Sequence, residues 1–279
     1  MIDVLKLGKT FPLQASQGQA QSVTALHDIN LQIIKGSIVS LLGPTGCGKS
    51  TLLEILAGLQ SPTTGEVRLE GLPFATPIPT DKKLLKAYQR QHRFLSPQAN
   101  RLFHNRPRHD IAMVFQDYAV FPWKNVLDNV TFTLSIVGVP KQQSQEIALG
   151  YLDKVGLLSS KTKYPSQLSG GMKQRLAIAR ALCVQPKIML LDEPFASVDE
   201  LTRQQLQELL LHIASATKVT IVLVTHDVAE AVYLSDKIFL FTPTPGTIYK
   251  TIEVNSPRPR RRSDAELVAL QNQISTSFR

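Results

Sequence analysis

Gly43-Pro44-Thr45-Gly46-Cys47-Gly48-Lys49-Ser50-Thr51 is the stretch on which the reading of this 279-residue chain turns. It fits the G-x-x-x-x-G-K-[ST] pattern of a phosphate-binding loop, and its surroundings fit too. The apolar run 37–42 ahead of it reads as a buried strand, and 49–57 behind it as a helix closed by Gly58. Glycines let the backbone curl until successive N–H groups face one anion, while the helix start adds the positive end of its dipole. Lys49 supplies a full positive charge near the β and γ phosphates, and Ser50 offers a hydroxyl to Mg²⁺. The alternative is a glycine-rich turn that binds nothing, and the strand–loop–helix order speaks against it.

Outward from the loop, 2–7 and 26–34 carry strand patterning, and 66–69 reads as a short strand reaching a turn at Gly71. A strand over 111–115 is followed by a mainly helical stretch, 117–167, with helices over 126–137 and 142–155. Strand and helix then alternate at 187–191, 201–215, 219–224, 228–234 and 237–241, which argues a mostly parallel sheet with helices on its faces. The expected fold is α/β: a phosphate-loop ATPase core with a mostly parallel sheet, an N-terminal antiparallel β portion and an inserted helical subdomain. The whole chain, 1–279, reads as a single domain, with 1–116 and 168–250 as its nucleotide-binding core and 117–167 as the helical subdomain. Residues 80–109 form a basic insertion, and 251–279 a tail carrying an amphipathic helix over 265–274.

A second chemical signal lies in Ile188-Met189-Leu190-Leu191-Asp192-Glu193, an apolar run that ends in two carboxylates. The C-terminal ends of parallel strands form the ligand crevice of such sheets. Asp192 there is expected to hold Mg²⁺ through its water shell, and Glu193 to orient or deprotonate the attacking water. Kinases, GTPases and helicases share these two motifs, so a third decides between them. Leu168-Ser169-Gly170-Gly171-Met172-Lys173-Gln174-Arg175 places a hydroxyl and two glycines at the start of a helix running through Ala181, which makes another ready anion site. The plainer reading of Ser169 is a helix cap. One nucleotide, however, does not need two phosphate-binding elements from the same subunit.

With that element the chain resembles the ABC ATPase family, and the likeness covers nearly its whole length. The resemblance implies that two subunits pair head to tail, each setting Ser169, Gly170 and Gly171 against the γ-phosphate held by the other's loop. Phe115-Gln116 resembles the family's Q-loop, implying that Gln116 reaches Mg²⁺ and the attacking water while the following segment touches a membrane partner. Ala196-Ser197-Val198-Asp199 resembles the D-loop, and Thr225-His226-Asp227 the switch histidine that contacts the γ-phosphate. Phe11 resembles the residue that stacks on adenine, with an ordinary core residue as the alternative. The implied ligands are ATP and Mg²⁺.

Three strings resemble the nitrate, sulfonate and taurine importers: Val114 to Trp123 followed by Val126-Leu127-Asp128-Asn129-Val130, then Pro245-Gly246-Thr247-Ile248, then Ser256-Pro257-Arg258-Pro259-Arg260. That branch implies integral membrane permease subunits, an extracytoplasmic solute-binding protein and a second ATPase subunit, identical or homologous. The basic insertion 80–109 departs from the branch pattern; a solvated loop is the plain reading, contact with anionic lipid or a regulatory partner the sharper one.

The formal charge of +9 suits nucleic acid or an anionic surface, but much of it sits in 82–109 and 258–262 rather than on the body of the chain. A non-transport ABC ATPase acting on a nucleic-acid or ribosomal partner is the rival reading. Such proteins usually carry two ATPase halves, whereas this chain has one set of motifs, so no nucleic acid is expected. No apolar run approaches the ~18 residues of a bilayer span, and the N-terminus lacks a secretory core, so the chain is expected to stay in the cytoplasm; the resemblance implies a peripheral place on the cytoplasmic face of the inner membrane. Cys47 and Cys183 read as buried thiols rather than a disulfide.

Overall fold

The computed structural model describes residues 1–12, 22–75 and 110–278. The basic insertion 80–109 lies outside the described residues. Along the chain the strands are β1 (Ile2–Pro12), β2 (Ser22–Ile33), β3 (Ile38–Leu42), β4 (Thr64–Leu69), β5 (Leu72–Ala75), β6 (Ile111–Val114), β7 (Ile188–Asp192), β8 (Thr220–Thr225), β9 (Lys237–Phe241) and β10 (Ile248–Glu253). The helices are α1 (Lys49–Leu56), α2 (Val126–Ile136), α3 (Lys141–Lys154), α4 (Gly170–Leu182), α5 (Glu200–Thr217), α6 (Val228–Leu234) and α7 (Ala265–Ser277). Two compact units emerge, one of Met1–Arg106 with Val224–Arg279, the other of Pro107–Leu223.

The first unit contains an antiparallel sheet in the order β2-β1-β4-β5. Ile2 pairs with both Ile33 and Leu69, and Phe11 with Val23. β1 runs to Pro12, five residues past the expected strand, because register shifts after Val4, Leu7 and Lys9 scramble the two-residue alternation that patterning relies on. β5 was not expected at all. It carries Pro73 and lies at the sheet edge, where a residue without an N–H is tolerated.

All five residues of β3 are buried, as befits a strand covered on both faces. β3 runs parallel to β9 with Leu42 opposite Leu240, and β9 pairs antiparallel with β10. Leu267 and Ile274 of α7 join Leu42, Ala231, Leu240 and Ile252 in one apolar cluster, so this terminal helix is part of the unit's core.

In the second unit β6 runs parallel to β7, from Ile111 opposite Ile188 to Val114 opposite Leu191, with β8 next to β7. α4 packs on α2, α3, α5 and β6. Side chains cap the helices as their residue types predict: Asn125 accepts from Asp128 N at 2.7 Å, Ser169 from Met172 N at 3.3 Å and Asp199 from Thr202 N at 3.0 Å.

Candidate functional site

In the first unit the residues 43–51 form the loop the sequence predicts. Gly48 caps α1 in the left-handed region at φ 95°, and Leu52 N donates to its carbonyl at 2.9 Å. A Cβ there would stand 2.7 Å from the Ala25 carbonyl oxygen and 2.8 Å from Leu26 Cδ2, so both the dihedral and the space demand glycine. Lys49 is only 4% exposed, and its ammonium donates to the carbonyls of Gly43 at 2.8 Å and Pro44 at 2.7 Å, with Cys47 Sγ at 3.6 Å. Two of these partners are backbone carbonyls, which carry no charge. A buried cation met by such dipoles is costly and suits an anionic ligand, which is what a phosphate loop is for. Thr45, Gly46 and Ser50 are exposed, Thr51 is half-buried, and Cys47 is buried beneath the loop.

The loop is braced from outside. Parallel pairing of β3 and β9 sends Gly43 and Thr242 off the same sheet edge. Thr244 Oγ1 then donates to Gly46 O at 2.8 Å, Gly246 N to Ala25 O at 2.9 Å, and His27 N to Gly246 O at 3.0 Å. At Gly246 an added Cβ would lie 2.0 Å from the Cys47 carbonyl oxygen. Sequence reasoning took Pro245-Gly246-Thr247 as a mark of a family branch and missed that this turn clasps the phosphate loop. The signal that could have shown it is a Pro-Gly turn directly after a strand parallel to the loop's own strand.

His226 is exposed at the end of β8 and shares a cavity of about 660 Å³ with Gly43, Pro44, Tyr249, Ser275 and Phe278. Its turn is fixed from beneath. Thr225 Oγ1 donates to the buried Glu230 carboxylate at 2.5 Å and accepts from Asp227 N at 3.0 Å, and Asp227 Oδ1 accepts from Glu230 N at 3.1 Å. The far end of α6 is capped by the tail. Ser235 N reaches Ala231 O, Arg260 donates to Val232 O and Tyr233 O, and Arg258 donates to Leu234 O. All four carbonyls of the last turn are thereby satisfied, two of the donors being cations at the negative helix end. Phe11 is half-buried with Lys9 Nζ 4.9 Å from its ring centre, and it stands outside the set of fully buried core residues.

The second unit holds the remaining predicted residues. The register of β6 on β7 brings Gln116, two residues past Val114, to the same sheet edge as Asp192 and Glu193. Gln116 is exposed; Asp192 and Glu193 are half-buried. Glu193 has φ 43°, a left-handed conformation that costs a non-glycine residue of order 1–3 kcal/mol and collects at functional sites. Ser169 is exposed at the start of α4, with Gly170 half-buried and Gly171 buried behind it. A Cβ on Gly171 would meet Thr202 Cγ2 at 2.3 Å, which explains this glycine by packing alone. Arg180 on α4 lies 4.5 Å over the Phe121 ring, and burial lowers its pKa from the ordinary arginine value.

Comparison with known proteins identifies the family. The sequence pattern of the family described as ABC transporter matches residues 26–196. The bicarbonate transport ATP-binding protein CmpC of Synechococcus elongatus is 42% identical over 266 residues, 94% of this chain, which spans only 35% of that longer protein. The taurine import ATP-binding protein TauB of Yersinia pestis bv. Antiqua is 37% identical over 262 residues, 91% of each chain. Among solved structures, a dimeric ATP-binding cassette in a post-hydrolysis state bound to ADP and Pi superposes with a TM-score of 0.71 at 28% identity, covering 92% of this chain and 100% of that one. The chain belongs to the ABC transporter family and is an ATPase of that family.

Proposed function

We propose that this ATPase energises an importer of small anions or related solutes of the nitrate, sulfonate and taurine type. It works on the cytoplasmic face of the inner membrane, paired with a second ATPase subunit beneath integral membrane permease subunits that an extracytoplasmic solute-binding protein supplies. Support for the branch comes from the taurine and bicarbonate relatives and from the strings around Phe121, Gly246 and Arg260. Among the described residues no helix is long and apolar enough to cross a membrane, in keeping with membrane contact through partners.

The observation that carries the nucleotide reading is the buried Lys49 ammonium, held by backbone carbonyls at the mouth of a glycine loop. The loop 43–51 grips the phosphates and Phe11 stacks on adenine. Ser50, Asp192 and Gln116 would hold a Mg²⁺, which would supply positive charge to the phosphate oxygens. Glu193 orients or deprotonates a water for in-line attack on the γ-phosphate, and His226 contacts the phosphoryl oxygens. Ser169, Gly170 and Gly171 serve the nucleotide of the paired subunit. Catalysis rests mostly on positioning and charge stabilisation.

Equilibrium binding of MgATP to the purified chain tests the first part. Lys49→Ala is expected to weaken binding about tenfold or more, the loss of one charge-assisted contact. Unchanged affinity refutes the assignment. Uptake of labelled taurine, nitrate or bicarbonate by vesicles containing the assembled transporter tests the branch; transport of none of these, alongside uptake of an unrelated sugar or peptide, refutes it.

A further inference from the structure

Directly after Gln116 the backbone makes a turn that few residues adopt willingly: Tyr118 and Ala119 stand at φ 64° and 45°, both left-handed and neither glycine. Such a turn persists only where its surroundings hold it. Three clamps do so. The Tyr118 hydroxyl meets Ser197 Oγ at 2.5 Å, the Arg180 guanidinium donates to Ala119 O, and Asn129 both donates to Phe121 O and accepts from Phe121 N. Arg180 belongs to α4, and Ser197 to the loop joining β7 to α5. The same spot borders the start of α4. A Cβ on Gly170 would lie 3.3 Å from Ser197 O and 3.7 Å from Tyr118 Oη.

We propose that Tyr118 is a positioning residue for ATP hydrolysis, its hydroxyl tying the segment after Gln116 to Ser197 and the start of α4 so that the three move as one piece. The inference rests on the proposed ATPase roles of Gln116 and the Ser169 helix start, and it deepens them. Among the described residues nothing else in the local geometry requires a phenol: the turn's backbone is already held by Arg180 and by the Tyr118 N to Phe115 O bond at 3.0 Å. The one bond lost in Tyr118→Phe is therefore the one that links two loops. The phosphate loop belongs to the other unit, and Lys49 keeps its partners.

Steady-state hydrolysis by the purified chain, with nucleotide binding measured separately, tests the proposal. Tyr118→Phe is expected to lower kcat roughly fivefold, about 1 kcal/mol, and to leave the ADP dissociation constant unchanged. Ser197→Ala should give the same loss, and the double variant no more than either single one, because each removes the same bond. Ser197→Thr keeps the hydroxyl and should restore turnover. Unchanged kcat in Tyr118→Phe, losses that multiply in the double variant, or a shift in ADP affinity matching the fall in kcat would each overturn the proposal. A wild-type chain that neither binds nor hydrolyses ATP overturns the functional reading beneath it, and shows this before any variant is made.

Discussion

Replacing Arg260 should cost more stability than any other single charge in the tail. The residue is 6% exposed, and its guanidinium reaches five carbonyls, three of them sharing the two Nη1 hydrogens: Ser256 at 2.9 Å, Val232 at 3.1 Å, Tyr233 at 3.0 Å, Ser235 at 2.7 Å and Val254 at 3.1 Å. Hydrogen bonds to charged groups contribute about 1.5–3 kcal/mol each when measured singly, but five on one fork do not add. Burial opposes the charge, which is why the pKa of Arg260 sits below the ordinary arginine value, and Arg258 nearby lowers it further. Arg260→Met relieves that cost while keeping an apolar stem, yet it leaves five acceptors to find water in a packed region. The net loss should be about 3–5 kcal/mol, near the upper end for single substitutions. For a chain of this size that corresponds to a fall in Tm of roughly 6–20 °C. Arg260→Lys, with three donors on a point charge and no planar fork, should fall between. Thermal unfolding by circular dichroism measures the shift, and hydrogen exchange should show the amides near Ala231 and Ser235 opening first. A shift under about 2 °C in Arg260→Met would refute the capping account.

Glu193→Gln should bind MgATP normally while turnover falls about 10²–10⁴-fold, measured by phosphate release; turnover near wild type would remove Glu193 from the chemistry. Gly246→Ala should weaken ATP binding about tenfold, because its Cβ would sit 2.0 Å from the Cys47 carbonyl and push the clasping turn off the loop; titration with a fluorescent nucleotide reads this. Burial pushes the Cys183 thiol up from 9.0 to about 12, with Arg180 pulling the other way. The folded state thus keeps a proton that the unfolded state releases, so this contribution is whole below about pH 9 and is lost as pH rises towards about 12. Cys183→Ala should flatten the alkaline fall in denaturant midpoint over that window. Trp123 is 71% exposed beside Phe121, and Trp123→Ala should reduce transport in the assembled complex more than basal hydrolysis by the free chain; the opposite pattern would make it a purely structural residue.

Where chemistry demands a particular residue type at a fixed spacing, a candidate site can be proposed without coordinates. Lys49, Asp192, Glu193 and the Ser169 helix start all announce themselves because an anion needs donors, a metal needs oxygen ligands, and both sit at the ends of regular elements. β3, β7, β9 and α6 were equally plain, being short apolar runs or an amphipathic turn between clear breakers. Patterning failed where tertiary contacts override local period. β1 keeps pairing through bulges that hide its alternation, and β5 accommodates a proline at an edge that has no neighbour among the described residues. The tail was harder still. Arg258 and Arg260 read as surplus basic charge, and only the structure shows them spent on the carbonyls of α6.

Arg258 and Arg260 use their charge inside the fold rather than on an open face. A formal +9 invites a nucleic-acid reading, in which basic residues gather counter-ions on an open face. Arg260 is buried, Arg258 is bonded to Asp236 and Leu234 O, Lys49 is buried at the loop, and Arg180 is packed over Phe121. These cations are committed to carbonyls, a carboxylate and a ring, and they are poorly placed to follow a phosphate backbone. If electrostatics nonetheless governed partner choice, hydrolysis by the purified chain would respond to added RNA or duplex DNA, with a steep dependence on salt. The four committed positions argue for a different use of charge: stability that falls when Arg258 or Arg260 is replaced.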